Sequence, residues 1–260
     1  MKTIDGLPGP CSSLRCDRNG RENAGADRAR RRREAGKSIN EPTTEDVTVS
    51  IRLGDEAPNF TAETTEGQID FHAWKDGSWA VLFSHPADYT PVCTTELGRT
   101  AGLQAEFAKR NVKVIAISVD SIEDHRGWTP DIRDVGGTDL NFPIIADSDR
   151  AVSGLYDMIH PGEGDTSTVR AVFVIDPANK VRATLTYPKS VGRNFAEILR
   201  VLDALQLTDA APVSTPADWV PGQRVIVSPT MATDEARQRF GDVEEVKPYL
   251  RWTAQPTKTS

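Results

Sequence analysis

At 260 residues the chain has room for one large domain, or for one domain with a small appendage. Hydrophobic residues make up 38%, low for a uniformly packed globule, so part of the chain is expected to lie outside any core. A formal net charge of −7 argues against general nucleic-acid binding, no apolar run approaches a membrane span, and three cysteines are too few for a disulfide framework.

Residues 1–46 are dominated by Gly, Asn, Asp, Ser and Arg, and Ile4, Leu7, Leu14 and Ile39 are too scattered to form an apolar face. This stretch is predicted to be a disordered extension. The run Arg30-Arg31-Arg32-Arg33 reads as solvated charge rather than a targeting or nucleic-acid patch. Interleaved Asp5, Asp17, Glu22, Asp27 and Glu34 do not suit a mitochondrial transit peptide, and no charged start precedes an apolar core as in a secretory signal. Together with the sparse cysteines this predicts a reducing compartment, the cytoplasm.

Trp79-Ala80-Val81-Leu82-Phe83 predicts a buried strand. Beyond it His85, Pro86, Ala87, Asp88, Tyr89, Thr90 and Pro91 read as a turn. Leu97, Ala101, Ala105 and Ala108 then recur at helical spacing, with Leu103 and Phe107 beside them. Cys93 therefore falls where a loop becomes a helix, near unpaired N–H groups and the positive end of the helix dipole. Both favour thiolate, the nucleophilic form of cysteine. The polar neighbours Thr90, Thr94, Thr95 and Glu96 argue against an apolar pocket around it.

Val112–Ser118 predicts a second buried strand, Ser121 to Glu123-Asp124 a helix start, and Gly136-Gly137 its end. A short strand at 142–145 and a short helix at 149–158 follow. Arg170–Ile175 and Val181–Tyr187 flank the turn residues Asp176-Pro177-Ala178-Asn179-Lys180, a hairpin signal. Phe195, Ile198, Leu199, Leu202 and Leu205 mark an amphipathic helix. These alternating elements predict an α/β domain with a mixed sheet over residues 47–208. Residues 209–260 form a less regular tail, with a strand at 224–227, a helix at 234–240 and then Tyr249-Leu250-Arg251-Trp252. Trp219, Phe240, Tyr249 and Trp252 are a large aromatic load for a tail without an evident core, so they are expected to pack on their own domain or on another subunit.

Pro86, Thr90 and Cys93 stand at a Pro-x-x-x-Thr-x-x-Cys spacing. The wording His85-Pro86, then Pro91-Val92-Cys93-Thr94-Thr95-Glu96-Leu97-Gly98, resembles the peroxiredoxins, and their single-cysteine branch in particular. The resemblance covers roughly Ile51 to Pro256. It implies a thioredoxin-like fold with a central mixed sheet flanked by helices. It also implies a small C-terminal arm over 209–260 that packs across a homodimer.

The same resemblance implies a thiol-dependent peroxidase. Cys93 would attack hydrogen peroxide or an organic hydroperoxide and become a sulfenic acid, which an external reductant restores: glutathione, a thioredoxin-like protein or ascorbate. The alternative is a peroxide sensor or a holdase chaperone using the same cysteine. Arg170, which from the residues alone reads as a solvated strand end, is implied as a fixed charge beside the thiolate. Thr90 is either a helix cap or a hydroxyl that bonds the thiolate or the peroxide. His85 is implied as auxiliary, Pro86 as a shield against water, and Glu96 either orients polar groups or is an exposed first-turn acid. No dithiol motif, phosphate-cradling glycine loop or metal-ligand spacing occurs, so neither cofactor nor metal is expected. Animal members of this branch are associated with a Ser-His-Asp phospholipase site. Ser78 and His72 match two of its members, but Ala178 stands where the Asp is required, so no such activity is expected.

Acidity alone does not make a fast peroxidase. Taking a free thiol from ~8.5 down to about 6 raises the thiolate fraction roughly 30-fold and costs about 13-fold in nucleophilicity, a net gain of about twofold. The larger effect must come from donors fixed around the breaking O–O bond.

Overall fold

The computed structural model describes residues 50–257, and the extension over 1–46 lies outside them. The first half of the described chain runs β1 (Thr61–Thr64), β2 (Gly67–Asp70), α1 (Phe71–Lys75), β3 (Trp79–Ser84), α2 (Pro91–Ala101), α3 (Gln104–Ala108), β4 (Val112–Ser118) and α4 (Ile122–Gly136). After it come β5 (Ile144–Ala146), α5 (Ala151–Leu155), β6 (Arg170–Ile175), β7 (Val181–Tyr187) and α6 (Phe195–Ala210). The C-terminal part holds β8 (Val213–Ser214), β9 (Val225–Val227), α7 (Thr233–Phe240), β10 (Val243–Lys247) and β11 (Leu250–Thr253).

Seven strands form one mixed sheet in the order β2-β1-β5-β4-β3-β6-β7. β3 runs parallel to β4 and antiparallel to β6, so it is paired on both edges. All six of its residues are buried, because both faces are covered. Trp79, Val81 and Phe83 pack with α2, α4 and α6, whereas Ala80 and Leu82 pack with Phe71 of α1 and Val152 of α5. The unbroken apolar run is the signature of such a doubly covered strand. Each fully buried aliphatic or aromatic side chain contributes about 1.5–3 kcal/mol. The polypeptide leaving the end of β3 is thereby held against a fixed floor.

α4 starts on a reciprocal capping box between Ser121 and Asp124 and stops at Gly137, which takes the left-handed conformation (φ 71°). α2 crosses α4 at two glycines. A Cβ on Gly136 would sit 2.6 Å from the Gly98 Cα, so only glycine permits this approach.

Three details depart from the sequence reading. The helical run after Cys93 is two helices, broken at Gly102-Leu103, which lets both Leu103 and Phe107 turn into the core. The helix expected over 149–158 is only α5, since Asp157 enters positive φ (50°) and Met158 bonds back to Ser153 outside helical register. The tail does have a core of its own: β10-β11-β9-β8 form a four-stranded antiparallel sheet. Leu207, Val213, Trp219 and Val225 pack together, as do Val227, Met231, Ala236 and Val243. Trp219 is buried there, while Tyr249 is 73% exposed. None of the described helices is long and apolar enough to cross a membrane.

Candidate active site

β3 ends at Ser84, whose hydroxyl donates to the Val169 carbonyl across the sheet. The chain then passes through buried His85 and Pro86 and through Tyr89, which is held at φ 54°. Thr90 is the N-cap of α2 in extended conformation (φ −109°, ψ 146°), and Pro91 occupies the first helical position, where its missing N–H costs nothing. Cys93 is thus in the first turn, one residue before the first intrahelical bond, Thr94 N–H to Thr90 C=O. Its own N–H is among the unpaired donors of the helix start.

The sulfur is fully buried. Contrary to the polar surroundings expected, it takes part in the apolar cluster with Phe83, Leu97, Trp128 and Val172. Its charged contact comes from across the sheet: Arg170, the first residue of β6, places Nη1 3.3 Å from Sγ. The same Nη1 donates to Glu96 Oε2 at 2.8 Å, and Nε donates to the Lys189 carbonyl at 2.8 Å. Arg170 is therefore no solvated strand end.

Glu96 is buried one helical turn beyond Cys93 and is shared with a second arginine, Arg193. That side chain donates Nε to Oε1 (3.0 Å) and Nη2 to Oε2 (2.6 Å), and its backbone N–H donates to Oε1 (2.7 Å). Its Nη1 reaches the Ser84 and Ala171 carbonyls, and the guanidinium lies 4.9 Å from the Phe83 ring centre. Burial pushes the Glu96 carboxyl up, but the Arg193 hydrogen bonds and the charges of both arginines outweigh it and hold the group below the usual carboxylate range. Two guanidinium groups thus face one carboxylate in a place without solvent, which leaves an excess of positive charge beside the sulfur.

His85 belongs to a neighbouring buried set. Its Nε2 lies 2.8 Å from Asp88 Oδ1, and Asp88 Oδ2 lies 2.6 Å from Nδ1 of His125 on α4. The Asp88 backbone N–H is tied to Asp120. The His85 ring packs 5.4 Å from that of Trp128, whose Nε1 donates to the Thr94 hydroxyl. Burial lowers the pKa of His85 from its ordinary 6.5, against the pull of Asp88.

The AhpC/TSA family pattern matches residues 53–184, and that of the C-terminal domain of 1-Cys peroxiredoxin matches 204–242. The chain belongs to the peroxiredoxins. It is 51% identical over 220 residues to peroxiredoxin-6 of Rattus norvegicus, covering 79% of this chain and 98% of the relative. To the mitochondrial peroxiredoxin PRX1 of Saccharomyces cerevisiae it is 50% identical over 210 residues, covering 78% and 80%. Among solved structures, a cysteine-to-serine variant of peroxiredoxin 6 from Arenicola marina superposes with a TM-score of 0.76 at 46% identity, covering 80% of this chain and all of the other. A yeast mitochondrial 1-Cys peroxiredoxin, described by its thiol resolving mechanism via glutathione/thioredoxin systems, gives 0.75 at 50% identity, covering 78% and 99%. The fold is accordingly the thioredoxin fold with an added C-terminal domain, and the activity class is thiol-dependent peroxidase.

In this peroxiredoxin Cys93, Arg170 and Glu96 are in direct contact. Thr90 directs its hydroxyl hydrogen to the Ala87 carbonyl (2.8 Å), not to the sulfur, which leaves its oxygen free to accept. His85 makes no hydrogen bond to Cys93. Arg193, Asp88 and His125 escaped the sequence reading. Arg193 stands alone between Gly192 and Asn194 and looks like loop charge. The only hint is that glycine, where a Cβ would lie 3.3 Å from Val92. His125 lies far from His85 along the chain, yet the fold makes His85, Asp88 and His125 the one set of potential metal donors within 4.8 Å among the described residues. Here those donors are at hydrogen-bond distance from one another.

The hydrolase positions do not assemble. Ser78 donates to the Lys75 carbonyl (2.5 Å), and His72 Nε2 faces the Ala57 carbonyl (2.8 Å). The Asp176 carboxylate is taken up by Ala178 N–H, Lys180 N–H and Arg182.

Proposed function

We propose that Cys93 is the peroxidatic nucleophile and that Arg170, Thr90 and His85 serve it, with Pro86 and Glu96 in support. The observation that carries this reading is the Arg170 guanidinium at 3.3 Å from Sγ, itself fixed by Glu96 and the Lys189 carbonyl. The thiolate attacks one peroxide oxygen; the S–O bond forms as the O–O bond breaks, and the leaving oxygen takes up a proton to depart as water or an alcohol. Sulfur is oxidised to the sulfenic acid and the peroxide is reduced. Negative charge moves from sulfur to the leaving oxygen, so a fixed cation and the N–H groups of the α2 start stabilise the transition state where the charge arrives. Thr90 accepts the peroxide O–H through its free lone pairs. Buried Pro86 keeps water from the thiolate. Glu96 and Arg193 position Arg170 rather than touch the substrate.

The sulfenic acid is returned to the thiol by an external thiol, glutathione or a thioredoxin-like protein, as the yeast relative's description supports. The same relative is named as mitochondrial, and cytoplasmic residence remains our proposal for this chain. We further place the peroxidase domain at 47–208 and a homodimer-forming arm at 209–260, supported by the separate small sheet and by exposed Tyr249. The sensor or holdase alternative is not favoured, since the named relatives are peroxiredoxins. Peroxide consumption by the purified chain, with glutathione, a thioredoxin system and ascorbate in turn, tests the reading. Activity is expected with a thiol reductant and none in Cys93→Ser; substantial turnover in that variant would sink the assignment.

A further inference from the structure

Hydrogen-bond accounting at the buried trio fixes more than a contact. His125 faces an acceptor on each side: Asp88 Oδ2 at its Nδ1 and the Ile145 carbonyl, 3.1 Å away, at its Nε2. Asp88 presents its other oxygen to His85 Nε2. Carbonyl and carboxylate oxygens only accept, so three contacts need three protons. Without net charge, the trio supplies them as a carboxylate beside a doubly protonated His125, or as a carboxylic acid beside a singly protonated one. In both, His85 carries its single proton on Nε2 and its Nδ1 is a bare lone pair.

That Nδ1 is buried and has no hydrogen-bond partner. The opposite tautomer would need one proton more, giving a net positive charge on three groups without solvent and an orphaned buried N–H. Asp120 is the further acid in reach, through the Asp88 backbone N–H, and it is also engaged by the Ser118 hydroxyl. A cation bridging the donors would have to part atoms now 2.6 and 2.8 Å from each other, whereas a proton fits without movement.

We propose that Asp88 and His125 are positioning residues for the peroxidase reaction: they lock His85 as the Nε2–H tautomer, so that its Nδ1 stands open as the acceptor for a hydroxyl proton of the peroxide or of the sulfenic acid. The proposal rests on the reading that His85 serves Cys93. His85 is joined to the Cys93 turn through Trp128, whose ring packs 5.4 Å from that of His85 and whose Nε1 donates to the hydroxyl of Thr94, the residue after Cys93. No proton or electron moves to His85: its Nδ1 only accepts a hydrogen bond, which orients the hydroxyl of the peroxide or of the sulfenic acid, and His85 stays neutral throughout. The burial that disfavours a second proton on His85 keeps this lone pair available.

Nitrogen-15 histidine NMR of the full chain, with His85 assigned from His85→Leu, reads the tautomer. The expected result is a protonated Nε2 and a bare Nδ1 near neutral pH. Asp88→Asn presents an amide donor to one of the rings, and is expected to invert the His85 tautomer. The rate of Cys93 oxidation by hydrogen peroxide should then drop on the order of tenfold to a hundredfold, with thiolate absorbance unchanged. His125→Gln keeps a donor for the Ile145 carbonyl but loses the link to Asp88. It should slow oxidation in the same direction and decides the matter if Asp88→Asn does not fold. A proton on Nδ1 in the parent protein, or wild-type rates in both variants, would overturn the proposal. If His85→Leu reacts normally, the reading of His85 fails and takes the inference with it; if His85→Leu is slow and both positioning variants are fast, the inference alone falls.

Discussion

Arg170→Met keeps most of the side-chain volume and removes the charge, while Glu96 remains held by Arg193. The fold should therefore survive. Loss of one preorganised donor from a developing oxyanion costs on the order of 10²–10³ in rate. Stopped-flow oxidation of Cys93 should show a loss of that size, beyond any loss of thiolate absorbance; equal losses would mean that Arg170 acts only on the ground state. A second effect belongs to His85. Its folded-state pKa lies below 6.5, so the unfolded chain takes up a proton that the folded chain resists. Stability should then fall as pH drops below 6.5 toward the folded value, and be recovered above it. Thermal melts across that window test this, and the slope should flatten in His85→Gln. Of the site residues, Pro86, Thr90 and Cys93 were legible because their spacing is local. Arg193, Asp88 and His125 were not, because their meaning depends on elements far apart in the chain.

Helices α2 and α4 meet at glycine backbones, and this contact sets the height of the Cys93 turn above the sheet. Gly98→Ala would bring a Cβ to 2.8 Å from the Gly136 Cα and 3.3 Å from the Ile132 carbonyl. Alanine gains about 1 kcal/mol in helix propensity, but forcing two backbones apart costs about 1–3 kcal/mol, and the second effect should win. Gly154 in α5 has open space around it, so Gly154→Ala should stabilise by up to about 1 kcal/mol. Chemical denaturation of the two variants should give opposite signs; stabilisation by both would show that the helix crossing yields easily. β3, β4, the β6–β7 hairpin and α6 could be read from the sequence, because their apolar residues are continuous or strictly periodic. β1, β2 and β10 could not, since strands such as Val-Glu-Glu-Val-Lys bury one side chain and expose the rest.

On the scale of the whole chain, Cys93 is the single cysteine among the described residues, and Cys11 and Cys16 belong to the N-terminal extension. Their replacement by serine should leave the peroxidase rate with an external thiol unchanged within a factor of about two, because the sequence of that extension offers no apolar face to offset the entropic cost of tethering it. Mass spectrometry after mild peroxide treatment should find no Cys93–Cys11 or Cys93–Cys16 peptide, and either peptide would establish an internal resolving route. The layered α/β architecture was legible from the alternation of strands and helices. The small C-terminal sheet was not, because its core is assembled from single residues such as Leu207, Val213, Trp219 and Val225, spread over several short elements.

The shared carboxylate of Glu96 also ranks the oxidation states of the sulfur. With two guanidinium groups and one carboxylate enclosed together, a thiolate at Cys93 would leave the enclosure neutral. A protonated sulfenic acid would not, and would strand one positive charge in a medium that solvates it poorly. Further oxidation to a sulfinate restores the negative charge. On the proposed role of Cys93, the sulfenic acid is thus the electrostatically least settled state of the cycle, and reduction and overoxidation both relieve it. On the same reading, a sulfinate would lie against the Arg170 guanidinium, so the same charge arrangement should favour overoxidation.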